Sequence, residues 1–381
     1  MTEQAGKYRY TATCLFGLEG MLGEEIEALG CRRIENMDGR ITFEGDSSVC
    51  AKASIRFRFA ERLYLNLGAF EAKTFTELFD GVKALPWEEF VMRDAEFPVT
   101  GHSVKSQLFS VPDCQKIIKK AVSVRLGEAY GLTRLPETGI RCRIEFFLFK
   151  DRANLMIDLS GTPLHKRGYR PETVEAPIRE TLAAAMVKIA RLREDVLLWD
   201  PFCGSGTIAI EAAMQMKRIA PGLNRSFAAE LLPVFPASSW KDAREEAGAE
   251  IVSDSGFEAY ATDIDPKCAE IAQAAAKRAG VEDCVNVFQM DALDIDTMGR
   301  RGTIVTNPPY GDRLLTREEA DDLYRAMGQA FARLGKWQIY VITQSEDFQK
   351  LYGRRADKVR KLYNGMIPCY YYQFFKNPDK K

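Results

Sequence analysis

The run LLWDPFCGSGTIAIEAA, residues 197–213, compresses three signals into one short stretch. An apolar segment ends on an acidic residue, Asp200, a turn follows with glycines at 204 and 206, and helix formers come next. In order these predict a buried strand, a tight turn and a helix, the opening unit of a doubly wound α/β sheet. Ligands of such sheets bind beyond the carboxyl ends of the strands, where glycine lets the backbone approach a bound group closely. The dinucleotide fingerprint is only partly met: Ala209 fills its last place, but no acidic residue follows at the usual distance. Nor does a Gly-Lys-Ser/Thr follow, as a phosphate loop requires. A turn that binds nothing is the alternative.

Working outward, strands are expected at DVLLWD (195–200), EAYATDID (258–265), VNVFQMD (285–291), GTIVTNPP (302–309) and KWQIYVIT (336–343), with helices between them. That alternation argues for a mostly parallel sheet covered on both faces. It ends in KVRKLYNGMIPCYYYQFF (358–375), an antiparallel hairpin signalled by Asn364-Gly365. Upstream, Ile178, Leu182, Met186, Ile189 and Leu192 keep helical spacing, preceded by a basic, Gly/Pro-containing linker at 161–180. The first 160 residues alternate strand and helix differently: a small α+β unit with a hairpin at Asp38-Gly39, then a second α+β unit closing near Ser160.

Acidic and amide side chains recur at the strand ends. Asp263 ends the second strand of the sheet, where a ribose diol would be held; helix capping is the alternative. Asp291 ends the third and could accept from an exocyclic amine on a bound base, or serve only as a cap or turn residue. The fourth strand runs into TNPPYG, residues 306–311. Asn307 offers a side-chain carbonyl, and the Pro308-Pro309 unit has backbone carbonyls that no N–H of its own can divert. Tyr310 could stack on the ring bearing an –NH2 held by those acceptors. Together they suggest attack by an exocyclic base nitrogen on an electrophile held over the glycine loop, with no strong base required. A rigid loop that only ends a strand is the competing reading. Between the glycines and Asp263 lies a long segment, 218–250, rich in prolines and aromatics, which reads as an insertion that could cover the site.

Composition narrows the class without naming it. The chain has 381 residues, 46% hydrophobic and 28% charged, with no apolar run long enough to span a membrane and a polar start unlike a signal peptide. It is therefore read as cytoplasmic. Nine cysteines without a C-x-x-C pair, and two histidines, argue against a structural zinc or a disulfide framework, so no metal is expected. A net charge of −1 neither implies nor excludes nucleic acid, because local patches can hide in a balanced total. Three such patches stand out: Lys116, Lys119, Lys120 and Arg125; His165, Lys166, Arg167, Tyr169 and Arg170; and Arg354, Arg355, Lys358, Arg360 and Lys361. Positive charge beside an aromatic suits RNA, although a charge run is usually a solvated face. The second patch is preferred because it lies between two domains.

The Asn-Pro-Pro-Tyr motif and the DPFCGSGT loop resemble the class I S-adenosylmethionine-dependent methyltransferases that act on amino groups. LHKRGYR with APIRETLAAA, DPFCGSGTIAIEAA, IAPGLNRSF and NPPYGDRL, in that order, look like the THUMP-domain RNA methyltransferases, nearest the branch that makes N2-methylguanine in 23S rRNA. The resemblance implies a Rossmann-like methyltransferase domain at 178–381, a ferredoxin-like domain at 1–65, a THUMP RNA-binding domain at 66–160 and a basic linker at 161–177. It implies that S-adenosylmethionine is the cofactor. Asp200, Phe202, Gly204, Ser205, Gly206 and Thr207 would cradle its methionine part, Asp263 its ribose and Asp291 its adenine. Asn307, Pro308, Pro309 and Tyr310 would receive the target base. Some members of the branch fuse two methyltransferases; the sequence ends after one catalytic domain, so a second activity is not expected. Methylation of a tRNA guanine, adenine-N6 methylation, and a non-catalytic RNA-binding assembly factor are the rival readings. Which nucleotide is modified, and the oligomeric state, are open at this point.

Overall fold

The computed structural model describes residues 6–170, 177–311 and 316–375. Residues 171–176 of the linker, and Asp312, Arg313 and Leu314 at the end of the NPPYGDRL run, lie outside the described residues. The N-terminal half is built from β1 (Tyr8–Cys14), α1 (Glu19–Ala28), β2 (Arg32–Met37), β3 (Arg40–Gly45), α2 (Ser47–Arg56), β4 (Ala60–Glu71), α3 (Phe75–Lys83), β5 (Val99–Val104), α4 (Val111–Tyr130), β6 (Ile144–Phe149) and β7 (Arg152–Asp158). Its strands form one seven-stranded sheet in the order β2-β3-β1-β4-β7-β6-β5. The two α+β units expected here thus share a sheet, because the long strand β4 pairs with β1 on one side and β7 on the other. The β2–β3 hairpin turns at Asp38-Gly39, with Gly39 at φ +73°.

Helix α2 was not foreseen. Its start is chemically marked: the Asp46 carboxylate accepts from the N–H groups of Ser48 and Val49, satisfying donors that the first turn leaves orphaned. Its short, Ala/Ser-rich sequence offers little periodicity to read.

The C-terminal half follows as α5 (Glu180–Ala190), β8 (Leu197–Asp200), α6 (Thr207–Met216), α7 (Ala237–Ala249), β9 (Ala259–Asp263), α8 (Pro266–Ala279), β10 (Val285–Gln289), β11 (Gly302–Thr306), α9 (Arg317–Ala332), β12 (Gln338–Thr343), α10 (Phe348–Leu351), β13 (Lys358–Asn364) and β14 (Ile367–Phe374). The order in this second sheet is β10-β9-β8-β11-β12-β14-β13, with the first five parallel and the hairpin β13–β14 antiparallel, as the sequence predicts. Strand β8 shows why the fold is two-sided. Leu198 belongs to a core continuous with the N-terminal half, whereas Leu197 and Trp199 belong to a second core under α9. The winding changes direction between β8 and β11, which opens a crevice at their carboxyl ends.

The insertion 218–250 packs on the N-terminal half. Its helix α7 packs on α2 of the N-terminal half, where Arg56 pairs with Glu250 at 2.7 Å and Lys52 with Glu246 at 3.0 Å. Gly222 donates its N–H to the Ile55 carbonyl at 2.9 Å, and a Cβ there would meet the Ser54 carbonyl oxygen at 2.6 Å. The segment clamps the two halves together at a backbone approach that only glycine permits. Among the described residues no helix is long and apolar enough to cross a membrane.

Candidate active site

Across the second sheet, Asp291, Asp263, Asp200 and Asn307 stand at or just past the carboxyl ends of β10, β9, β8 and β11, which are neighbours in that order. The expected row therefore exists, but its members do different things.

Asp200 is buried and accepts from the Thr306 hydroxyl at 2.7 Å and the Phe202 N–H at 3.3 Å. It ties β8 to β11 and shapes the first turn of the glycine loop. Burial pushes its carboxyl up to about 7, with Thr306 and the Phe202 N–H pulling it back and the charge of Asp263 adding to the rise. Asp263 is half-buried; one oxygen accepts from the Gly204 N–H at 2.9 Å and the other from the Asp265 N–H at 3.1 Å. It too is raised, first by desolvation. The carboxylate expected at the ribose thus also fastens the loop. The helix-capping alternative goes to Asp265, which accepts from the Lys267 N–H. Asp291 accepts from the Leu293 N–H at 2.9 Å and caps a short 3-10 turn, the bland role weighed for it above.

Loop residues Gly204 and Gly206 have φ +51° and +74°, the left-handed region. At Gly206 a Cβ would lie 3.0 Å from the Ala272 Cβ of α8, so glycine is required for helix packing as well as for the turn. Phe202 and Gly204 are half-exposed, whereas the Ser205 and Thr207 side chains are buried. Those two hydroxyls face each other at 3.2 Å, and the Arg170 guanidinium reaches both. Ile264, directly after Asp263, is an exposed apolar side chain that sequence reading passed over. Its signal was an isoleucine just beyond a strand-end carboxylate. A left-handed glycine turn opening α6, a carboxylate acceptor at the next strand end and an apolar side chain beside it form a set that fits a nucleoside carrying an amino-acid chain.

At the amine end, Asn307 is half-buried and its Oδ1 accepts from the Tyr310 hydroxyl. Tyr310 packs against the first core, and burial holds its phenol well above the usual range. The Pro309 carbonyl accepts from the Tyr324 hydroxyl at 2.9 Å, and that hydroxyl also contacts Thr343 Oγ1 at 2.9 Å. The Pro309 carbonyl is thereby held by α9, with one of its two acceptor positions taken. The Pro308 carbonyl takes no hydrogen bond among the described residues, and Pro308 itself is buried beside Asn307. Tyr324 is thus a positioning residue of α9 that no motif flagged.

The basic patches divide. On α4, Lys116 and Lys120 are exposed, whereas Lys119 is engaged by Glu137, by the Phe97 carbonyl at 3.1 Å and by the Phe97 ring. Arg125 pairs with Glu88. Among the linker's patch residues Lys166 is exposed. Arg167 and Tyr169 are buried and both bond Glu211, His165 bonds Glu61 at 2.9 Å, and Arg170 reaches the cofactor loop. The expectation that Arg167, Tyr169 and Arg170 contact RNA is therefore corrected: Glu211 holds the first two, and the nearby Glu180 pairs with Arg170. Arg355, Lys358 and Lys361 of the third patch are exposed.

Comparison with known proteins bears on the whole chain. Residues 167–373 match the family model described as the RMKL-like methyltransferase domain, residues 72–158 the THUMP domain, and residues 9–64 the RlmL ferredoxin-like domain. The chain is 42% identical over 380 residues, 98% of each chain, to the Bacillus subtilis (strain 168) protein named "Putative RNA methyltransferase YpsC". The chain belongs to the THUMP-domain methyltransferases. It is 32% identical to the ribosomal RNA large subunit methyltransferase K/L of Psychromonas ingrahamii over 93% of its own length, and spans about half, 48%, of that relative. Two solved structures superpose closely. SMU.472, described as "a putative methyltransferase complexed with SAH", has TM-score 0.92 at 40% identity, covering 98% of this chain and 99% of that one. A Listeria monocytogenes str. 4b F2365 protein described as a predicted N6-adenine-specific DNA methylase has TM-score 0.91 at 43% identity, covering 98% and 97%. The methyltransferase uses S-adenosylmethionine as its cofactor, and the residues at Gly204, Asp263 and Ile264 fit it.

Proposed function

We propose that this methyltransferase modifies the exocyclic N2 amine of a guanine in RNA, and that the RNA is 23S rRNA. The observation that carries the reading is the placement of Asn307 and the Pro308 carbonyl beyond β11, beside the cofactor loop of β8, on a chain whose other half matches a THUMP domain. The cofactor, when bound, supplies an electrophilic methyl carbon. The chain's own residues then have to make a poor nucleophile reactive. Asn307 Oδ1 and the Pro308 carbonyl accept hydrogen bonds from the two amine hydrogens, which favours the tetrahedral nitrogen of the transition state over the flat, delocalised amine, and the one proton released on methylation passes to solvent. Tyr310 provides the stacking face, and Tyr324 holds the Pro309 carbonyl. Because Tyr310 donates to Asn307 Oδ1, the incoming amine displaces that hydroxyl and takes its place.

RNA is favoured by the THUMP match and by the K/L relatives' named substrate, ribosomal RNA. Contacts are assigned to Lys116 and Lys120 on α4 and to Lys166 in the linker, the solvent-facing members of the first two patches. Adenine-N6 methylation is the second reading, favoured by the Listeria protein's description and by acceptors that recognise an amine without naming its ring. Mapping modified nucleosides in rRNA from cells with and without the gene separates the two. Loss of one N2-methylguanosine from 23S rRNA supports the proposal, and an unchanged N2-methylguanosine map contradicts it.

A further inference from the structure

We infer that Arg170 is a positioning residue for the cofactor loop, holding residues 205–207 from beneath in the shape that receives the cofactor's methionine part. The inference rests on the S-adenosylmethionine reading of this site. Arg170 Nη1 donates to Thr207 Oγ1 at 2.9 Å, to the Ile178 carbonyl at 3.0 Å and to Ser205 Oγ at 3.4 Å, while Nη2 pairs with Glu180 at 3.1 Å. Both hydroxyls are buried, so the guanidinium is a fixed part of the loop's floor.

The loop needs such a floor. Gly204 and Gly206 confer the left-handed turn but no stiffness, and the more freely a glycine turn can move, the more a ligand must order it on binding. A planar fork with several donors can hold two hydroxyls and a carbonyl at once, which a lysine ammonium on a flexible stem does less well. A cation under the N-terminus of α6 would by itself oppose the helix dipole, and Glu180 offsets it. Three residues earlier, Arg167 grips the same helix one turn further on, through Glu211 at 3.3 Å. Arg58, from the N-terminal half, reaches the other Glu211 oxygen at 3.3 Å and the Ile219 carbonyl at 2.7 Å. The linker is thereby a strut: one arginine sets the cofactor loop, the other locks its helix to the half that carries the THUMP domain.

The test is equilibrium binding of S-adenosylhomocysteine to the full chain by calorimetry, alongside binding of a 23S rRNA transcript. Arg170→Ala is expected to weaken S-adenosylhomocysteine about tenfold, the effect of losing charge-assisted hydrogen bonds, and to leave RNA affinity unchanged. Arg170→Lys should recover only part of the loss. Thr207→Val removes the receiving hydroxyl while keeping the Arg170–Glu180 pair, and it carries the test if Arg170→Ala fails to fold. The double variant should bind no more weakly than the weaker single one. S-adenosylhomocysteine affinity within twofold of the unsubstituted chain, additive losses, or a fall in RNA affinity alone would each overturn the inference. An unsubstituted chain that binds no S-adenosylhomocysteine would overturn the cofactor reading beneath it.

Discussion

The carboxyl edge of the second sheet and the linker at 161–177 carry equally conspicuous residues, and the structure treats them oppositely. At the edge, Asp200, Asp263 and Asn307 stand where the strand pattern puts them. In the linker, the side chains that looked most suited to RNA are turned inward. A motif anchored to a strand end inherits its position from the sheet, because the register fixes where the chain emerges. A charge run has no such anchor. Its direction depends on acids elsewhere, here Glu61, Glu180 and Glu211, which lie apart in the sequence and together in the fold.

Removing a residue at the edge should therefore abolish chemistry, and removing one in the linker should cost stability or cofactor affinity. The largest effect is expected for Asn307→Ala: methyl transfer from labelled cofactor falls about 100- to 1000-fold while S-adenosylhomocysteine binding is retained, as for loss of a preorganised transition-state contact. Equal loss of both would place Asn307 in the fold and blur the contrast. Glu211→Ala leaves Arg58 and Arg167 buried without their shared acid. It should lower the unfolding free energy by about 3 kcal/mol in denaturant titration. A change within 0.5 kcal/mol, the usual range for a surface site, would mean the cluster is not holding the halves together.

Tyr310 separates stacking from hydrogen bonding. Tyr310→Ala should cost roughly tenfold in kcat/KM for RNA through the lost ring. Tyr310→Phe, which frees Asn307 Oδ1 and keeps the ring, should stay within about threefold of the unsubstituted chain. If both variants fall equally, the hydroxyl has a role in the reaction.

Asp200 gives a pH signature. Its folded carboxyl titrates at about 7 and an unfolded aspartate at about 4, so the native state binds the proton more tightly. Stability should accordingly decline as pH rises from about 4 to about 7. Asp200→Asn should reduce that slope in a series of denaturation curves, leaving the part due to Glu25, whose carboxyl burial also raises to about 7, and an unaltered slope would mean that Asp200 does not titrate there. The smallest effect belongs to the exposed α4 lysines. Lys116→Ala with Lys120→Ala should weaken RNA binding a few-fold and reduce the dependence of log affinity on log salt by about one unit per charge.

How much was legible follows the same division. The parallel strands, the closing hairpin and the strand-end carboxylates could be read because apolar runs, Asn364-Gly365 and the glycine turn are local signals. Helix α2, the docking of α7 upon it and the roles of Tyr324 and Arg170 could not, since each depends on a partner brought in by tertiary packing. Asp291 lies between the extremes. Its strand-end position was readable, and its bond to the Leu293 N–H is the cap-or-turn role that stood beside the ligand role in the sequence.

The most direct test of the central claim is nucleoside analysis after the purified methyltransferase has been incubated with labelled S-adenosylmethionine and, separately, unmodified 23S rRNA and duplex DNA. Labelled N2-methylguanosine from the RNA, lost with Asn307→Ala, is the result predicted here. Labelled N6-methyladenine from either nucleic acid, with no N2-methylguanosine, would contradict it.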